Sequence, residues 1–136
     1  MKYFTMRELT QSATAQRKGI DNTPDAKVCA NLTALVANVL DPLREAWGKP
    51  IVVTSGYRCA KLNRAVGGAS KSQHLYGEAA DIKVVGGKPS DNKKLFELVQ
   101  SLGLPFDQLI DEYGFQWLHV SFRDGRNRRQ VVHVRA

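Results

Sequence analysis

The feature that most limits the possible folds is a run of apolar residues at helical spacing in the first third of the chain. These residues recur at intervals of three and four and are Val28, Leu32, Leu35, Val36, Val39, Leu40 and Leu43. Such spacing places them on one face of an amphipathic helix, which has to be buried against a second layer. Pro42 should kink this helix or restart it with Asp41 as a new N-cap, and Gly48 and Pro50 should end it.

The rest of the chain predicts short strands and a few further helices. Thr5 and Glu8 fit a capping box at the start of a short N-terminal helix, and apolar spacing predicts another helix over 91–102. β-Branched or alternating segments predict strands over 51–54, 79–85, 106–112, 116–122 and 130–134. Turn signals separate the last three strands, so an antiparallel meander is the simplest assembly.

These elements predict an α+β fold in which N-terminal helices pack on a small antiparallel sheet. A chain of 136 residues can bury one sizeable core but divides poorly into two. We therefore expect a single domain over 1–136, with the helices in 1–50 and the sheet in 51–136. Residues 59–78 should be mostly loop and short helix, and an irregular stretch of this length is more often functional than idle.

The charge balance narrows the possible partners. A formal net charge of +7 favours a polyanion, such as nucleic acid, an anionic membrane surface or a cell-wall polymer. The basic residues are dispersed, the densest group being Arg123, Arg126, Arg128 and Arg129, and no basic platform with aromatic residues for stacked bases accompanies them. We therefore expect no specific nucleic-acid partner.

The sequence contains neither an apolar run long enough for a membrane span nor an apolar signal segment near its N-terminus. We accordingly expect synthesis to end in the cytoplasm, and we expect a monomer. Cys29 and Cys59 stand alone and are expected to be free thiols, although a disulfide between them is compatible with the sequence.

The candidate metal ligands are His74, Asp81 and His119. Two imidazoles and a carboxylate suit zinc, and three protein ligands leave the open position that a catalytic zinc site needs. On a strand over 116–122, His119 would share one face with Trp117 and Ser121. The spacing alone is only permissive, because His74 could cap a loop, Asp81 could begin a strand, and His119 could be an ordinary hydrogen-bonded histidine.

Three linked motifs carry a family resemblance. They are Ser55-Gly56-Tyr57-Arg58, the segment with Ser72, His74, Gly77, Ala79 and Asp81, and Trp117-x-His119-Val120. In this order they resemble the zinc D-alanyl-D-alanine carboxypeptidase family, together with phage and prophage cell-wall peptidases built on the same domain. The resemblance implies the α+β fold of hedgehog signalling domains and DD-peptidases, with His74, Asp81 and His119 as Zn²⁺ ligands. It also implies that Arg58 faces the substrate.

The resemblance further implies hydrolysis of an amide bond in peptidoglycan stem peptides, with a zinc-bound water as the nucleophile. The enzyme would be a D-Ala-D-Ala carboxypeptidase or a lytic endopeptidase, and phage-type release would bring it to the cell wall. In the family a glutamate commonly lies three residues before the second histidine, where this chain has Gln116, which cannot accept a proton.

Glu112 is the carboxylate that we predict as general base instead, because it can reach the site from an adjacent strand. Asp111 would then point to the opposite face, and Glu78 should be a solvated or supporting residue. Ser72 and Gln73 are predicted to hydrogen-bond the substrate or to orient His74. Trp117 is expected to pack under the strand of His119 rather than to bind a ligand.

Two other functions remain open. A zinc-stabilised binding module of the same fold that has lost turnover is compatible with Gln116. A basic DNA-associated protein with incidental His and Asp residues would bind DNA in a salt-sensitive way and would hold no metal.

Overall fold

The computed structural model describes residues 1–135 and consists of helices packed on a five-stranded sheet. The first half contains α1 (Met6–Thr10), α2 (Ala13–Lys18), α3 (Ala26–Leu35), α4 (Asp41–Trp47), β1 (Ile51–Ser55) and α5 (Ala60–Ala65). The second half contains β2 (Ala79–Val84), α6 (Pro89–Ser101), β3 (Gln108–Glu112), β4 (Trp117–Ser121) and β5 (Gln130–Val134). The α+β class predicted from the sequence is confirmed.

The N-terminal helices begin where the sequence predicts. The Thr5 hydroxyl accepts a hydrogen bond from the Glu8 amide at 3.2 Å, and the Glu8 carboxylate accepts one from the Thr5 amide at 3.1 Å. The Asp25 carboxylate accepts from the Val28 amide at 2.8 Å and caps α3. Each of these hydrogen bonds satisfies a backbone amide at the start of a helix that has no acceptor within the helix.

Pro42 neither ends the long helix nor gives it a new cap. A π-helical segment, Val36–Leu40, joins α3 to α4, and Asp41 itself has helical backbone angles. A wider turn is one way for a helix to continue past a residue that lacks an amide donor. The Asp41 carboxylate instead accepts hydrogen bonds from the Lys2 and Tyr3 amides at 2.7 and 3.0 Å, so the N-cap prediction for Asp41 is wrong.

The sheet has the strand order β1-β2-β4-β3-β5 and is mixed. β1, β2, β4 and β3 pair antiparallel, whereas β5 pairs parallel to β3. The predicted antiparallel meander is therefore wrong at its last step. β4 lies between β2 and β3 and has no free edge, so the chain passes the start of β3 and pairs along the other side of that strand.

The alternation along the strands separates a core face from an open face. Ile82 on β2 and Leu118 and Val120 on β4 are fully buried and pack in one cluster with the helical residues. That cluster also includes Leu32, Leu35, Val39, Leu40, Leu95 and Val99. Asp81 and His119, whose neighbours fill the core, consequently point to the other face.

No helix within residues 1–135 has both the length and the apolar character that crossing a bilayer requires. Cys29 and Cys59 are not joined and are free thiols.

Asn92 ties three elements together, which makes its side chain a test of this packing. Its Oδ1 accepts from the Val84 amide at 2.9 Å, and its Nδ2 donates to the Phe115 and Gln116 carbonyls at 2.9 and 3.3 Å. We expect Asn92→Ala to lower the free energy of unfolding by about 2–4 kcal/mol, because buried backbone groups lose their partners.

The matched control is Asn38→Ala, since the exposed Asn38 makes one hydrogen bond, to the Ala34 carbonyl. This variant should change stability by less than about 0.5 kcal/mol. Urea unfolding at equilibrium measures both values, and equal midpoints for the two variants would contradict the role given to Asn92.

Candidate metal centre

Three side chains from different elements converge on the open face of the sheet. His74 lies in a single 3₁₀ turn, Gln73–Tyr76, while Asp81 lies on β2 and His119 on β4. Asp81 and His119 stand directly opposite each other in the antiparallel ladder. One ligand atom from each of the three residues lies within 4.8 Å of the other two. A strand pair and one turn thus bring together the three ligands predicted from the sequence.

The orientation of His74 is set by a backbone carbonyl. Its Nδ1 lies 2.7 Å from the Gly56 carbonyl oxygen, and since a carbonyl only accepts, Nδ1 must carry the proton. Nε2 is then a free lone pair, and it lies 3.3 Å from Asp81 Oδ1. A buried histidine held in this way presents a defined nitrogen to a metal.

Two glycines make this arrangement possible. A Cβ on Gly56 would lie 2.1 Å from the Leu9 carbonyl oxygen, so no side chain fits between α1 and the carbonyl that holds His74. Gly77 has a φ of +72° and leads the chain from the 3₁₀ turn into β2, and a Cβ there would lie 2.8 Å from Val28. Both positions require glycine for steric reasons.

The contacts around Asp81 are those of a ligand set rather than of a hydrogen-bond network. His74 Nε2 and His119 Nδ1 each lie 3.3 Å from Asp81 Oδ1, yet within residues 1–135 this buried oxygen has no partner with hydrogen-bond geometry. Lone pairs that converge on one point without pairing fit a cation, and two nitrogens with one carboxylate oxygen fit zinc.

The three ligands line a cleft of about 470 Å³ that also contains Arg58, Glu112 and Trp117. Glu112 stands opposite Trp117 in the β3–β4 ladder, and the indole Nε1 of Trp117 donates a hydrogen bond to the Glu112 carboxylate. Burial, with the charge of Asp81 nearby, raises the pKa of Glu112 above its ordinary value. The structure thus brings this carboxylate into the cleft, and Trp117 forms part of the cleft wall instead of packing beneath the strand.

Arg58 is held at the cleft by its backbone and by Ser72. The Arg58 amide donates to the His74 carbonyl at 3.1 Å, and a terminal guanidinium nitrogen donates to the Ser72 hydroxyl at 3.4 Å. The same hydroxyl accepts from the His74 amide at 3.2 Å. Burial lowers the pKa of Arg58, and its buried Nε has no hydrogen-bond partner within residues 1–135. This guanidinium can therefore donate to a ligand in the cleft.

The remaining sequence candidates lie elsewhere. Glu78 lines a neighbouring cleft rather than this one. Asp111 points to the opposite face, where its carboxylate accepts from the Phe115 amide at 2.7 Å and lies 2.9 Å from His133 Nδ1. Gln116, at the position where the family commonly has glutamate, is exposed.

Gln73 is held by a residue pair that no sequence motif marks. The Gln73 amide nitrogen donates to Asp107 at 2.8 Å, and Asp107 is fully buried. Arg128 donates to the same carboxylate from its backbone amide at 3.0 Å and from two guanidinium nitrogens at 2.9 Å. These hydrogen bonds from Arg128, with that from Gln73, lower the pKa of Asp107 to about 2 against the opposing effect of burial.

Asn22 is a second residue that the sequence did not single out. Its Nδ2 donates to the Thr10 and Tyr57 carbonyls at 2.8 and 3.0 Å, and its Oδ1 accepts from the Cys59 amide at 2.8 Å. Tyr57 and Cys59 are the chain neighbours of Arg58, and Thr10 is the last residue of α1. These hydrogen bonds therefore fix the backbone of Arg58 against α1. The loop composition around Asn22 gives no signal for this role.

The chain is similar to known peptidases. A family model described as Peptidase M15 matches residues 2–121, which include the three ligands and end at the last residue of β4. A segment of 44 residues is 52% identical to the zinc D-Ala-D-Ala carboxypeptidase of Streptomyces albus G. That segment makes up 32% of this chain and 17% of the length of that enzyme.

The ligand set generates the first prediction for this site. His74→Ala and His119→Ala should each abolish stoichiometric zinc binding, because two remaining ligands hold the ion far more weakly. His133→Ala removes a histidine on the opposite face and should keep one zinc per chain. Metal content after dialysis, measured by atomic absorption, gives the result, and retention of zinc by both ligand variants would refute the assignment.

Asp107 generates a prediction on pH. Its folded-state pKa of about 2 lies below the ordinary 3.8, so its stabilisation is complete above the ordinary value and is lost as the pH falls toward 2. The stability difference between the wild type and Asp107→Asn should therefore shrink by about 1–2 kcal/mol between pH 4 and pH 2.

Urea unfolding at several pH values measures this difference. Asp124→Asn, which changes an exposed carboxylate in the same connection, is the control and should show no comparable pH dependence. A constant difference for Asp107→Asn across this range would contradict the account.

Proposed function

This chain belongs to the peptidase M15 family, and we propose that it is a peptidase that hydrolyses an amide bond in peptidoglycan stem peptides. Zn²⁺ is its cofactor, and His74, Asp81 and His119 are the proposed ligands. The observation that carries the proposal is the meeting of this ligand set with a cationic donor, Arg58, and a carboxylate, Glu112, in one open cleft. Amide hydrolysis needs these three chemical functions together.

Zinc bound by these ligands would act as a Lewis acid toward a carbonyl oxygen and would lower the pKa of water. Glu112 is the proposed general base. Its carboxylate lines the cleft of the three ligands, and the Trp117 indole holds one of its oxygens and thereby orients the carboxylate. After accepting a proton, the same carboxyl group could return it to the departing amine.

Arg58 is proposed to bind the substrate and to stabilise negative charge that develops on the scissile carbonyl. Its guanidinium keeps an unpaired donor in the cleft and is fixed through Ser72. A prepositioned donor stabilises a developing oxyanion without further reorganisation. Ser72 accordingly orients both Arg58 and the turn of His74, and Gln73 offers hydrogen bonds to the substrate beside them.

A zinc-stabilised module without turnover is the second candidate, because Gln116 occupies the family's usual base position. Glu112 favours the enzyme, since it supplies a half-buried carboxylate to the same cleft from a neighbouring strand. The hypothesis of a DNA-associated protein requires that the chain hold no zinc, and the metal analysis above tests it.

The finer features of the proposal come from the resemblance. The reaction would be either removal of a terminal D-alanine or endopeptidase cleavage within the stem, carried out by a monomeric domain over 1–136. A role as an endolysin, with release of the phage type, would bring the enzyme to the cell wall. The positive net charge of the chain suits an anionic wall.

Digestion of peptidoglycan tests the proposal directly. Zinc-loaded protein is incubated with purified sacculi and with soluble muropeptides, and new amino termini and free D-alanine are measured. Released D-alanine would indicate the carboxypeptidase, and new amino termini without it would indicate the endopeptidase. No product from any stem peptide, with zinc bound and the fold intact, would rule out the enzyme.

Glu112→Gln is the sharpest variant for the mechanism. It should retain zinc and fold normally but lower kcat by about 100-fold or more, because the amide cannot accept a proton. Glu97→Gln, which alters an exposed residue of α6, is the control and should retain full kcat. Unchanged turnover in Glu112→Gln would move the base to another group.

A further inference from the structure

A second cleft of about 440 Å³ adjoins the one that holds the proposed zinc ligands. Lys71 and Gln73 line both clefts, so the two are neighbours along the segment that leads into His74. The far wall of the second cleft comes from the first turns of α3 and from Arg123, which follows β4. A peptide that occupies the first cleft could therefore extend directly into the second.

Two residues that line this second cleft each have a buried polar atom without a hydrogen-bond partner within residues 1–135. One is an acceptor, Gln73 Oε1, whose amide nitrogen is already committed to Asp107. The other is a donor, Arg123 Nε, which lies 3.7 Å from Glu78, beyond hydrogen-bond distance. An unpaired buried group is costly, so both atoms are expected to meet a ligand.

The charges of the cleft favour an anion. Lys27 and Lys71 have no ion-pair partner within 4.0 Å in the described part of the chain, and Arg123 adds a third cation. Of the two carboxylates, Asp25 is engaged as the cap of α3. The other is Glu78, and burial raises its pKa above the ordinary value. Three cations stand against these two carboxylates, and Glu78 is ion-paired with Arg123, so Lys27 and Lys71 are left to attract an anion.

We propose that the second cleft is a substrate subsite that binds a free carboxylate on the same stem peptide whose amide bond lies at the metal centre. Lys27, Lys71 and Arg123 would pair with the carboxylate, and Gln73 Oε1 would accept a hydrogen bond from a peptide N–H between the two clefts. This subsite rests on the proposed function, and it makes the enzyme selective for stem peptides that are acidic at one position.

The Asp107–Arg128 pair gives Gln73 its place in this subsite. Because Asp107 holds the amide nitrogen, the orientation of the Gln73 carbonyl oxygen is fixed as well. A fixed acceptor loses little side-chain entropy when a peptide binds. The subsite is thus prepared by contacts that lie outside both clefts.

The test compares synthetic stem peptides in which each free carboxylate, other than the terminal one, is replaced in turn by a carboxamide. For one position we expect wild-type zinc-loaded protein to favour the carboxylate by about tenfold in kcat/KM, mainly through KM. Lys27→Glu should reduce this preference to about twofold or less, since it reverses one charge of the subsite. A carboxylate in the first turn of α3 suits a helix N-terminus, so the variant should fold.

Lys94→Glu is the matched control, because it makes the same charge reversal on α6, outside both clefts. It should keep the full preference. Hydrolysis of all peptides with no preference at any position, or a preference that survives Lys27→Glu unchanged, would overturn the subsite and leave the proposed function standing. Hydrolysis of no stem peptide by the wild type would overturn both.

Discussion

The antiparallel register between β2 and β4 is the constraint on which the metal centre depends. It places Asp81 opposite His119 on the open face and, in the adjacent pair of the ladder, Ile82 opposite Leu118 in the core. A slip of β2 by one residue would turn the Asp81 carboxylate into the helices and expose Ile82. The burial of apolar side chains and the assembly of the ligand set are therefore consequences of the same pairing.

The elements of the fold follow from local patterns, whereas two of their connections do not. Helical spacing from Val28 to Leu43 and alternation along the strands predict most of the helices and strands, because these periods decide which side chains can be buried together. The position of β5 depends on which strand edge is free after β2 and β3 have paired with β4. Likewise, the helix continues past Pro42 by way of the π-helical segment Val36–Leu40, which local helix propensity does not predict.

The candidate site likewise combines residues that the sequence predicts with contacts that it does not predict. The resemblance carried by three linked motifs implies His74, Asp81, His119 and Arg58, and strand alternation lets only one of Glu112 and Asp111 face them. What holds these residues is not visible in the sequence. The Gly56 carbonyl acts through its backbone, and Asp107 meets Gln73 across 34 positions of the chain. Such partners are fixed by tertiary packing, so only the structure pairs them.

The parallel pairing of β5 with β3 has a consequence for the order of folding. Everything needed for the ligand set precedes Phe122, but the outer edge of β3, next to Glu112, is covered only when 130–134 has been synthesised and has passed the start of β3. Until then a nascent chain presents an unpaired edge that another chain could join. The final strand thus covers the edge of β3 beside Glu112 and becomes the edge of the sheet itself. The hydrogen bond from the Arg128 amide to the Asp107 carboxylate, just before that strand begins, helps to position it.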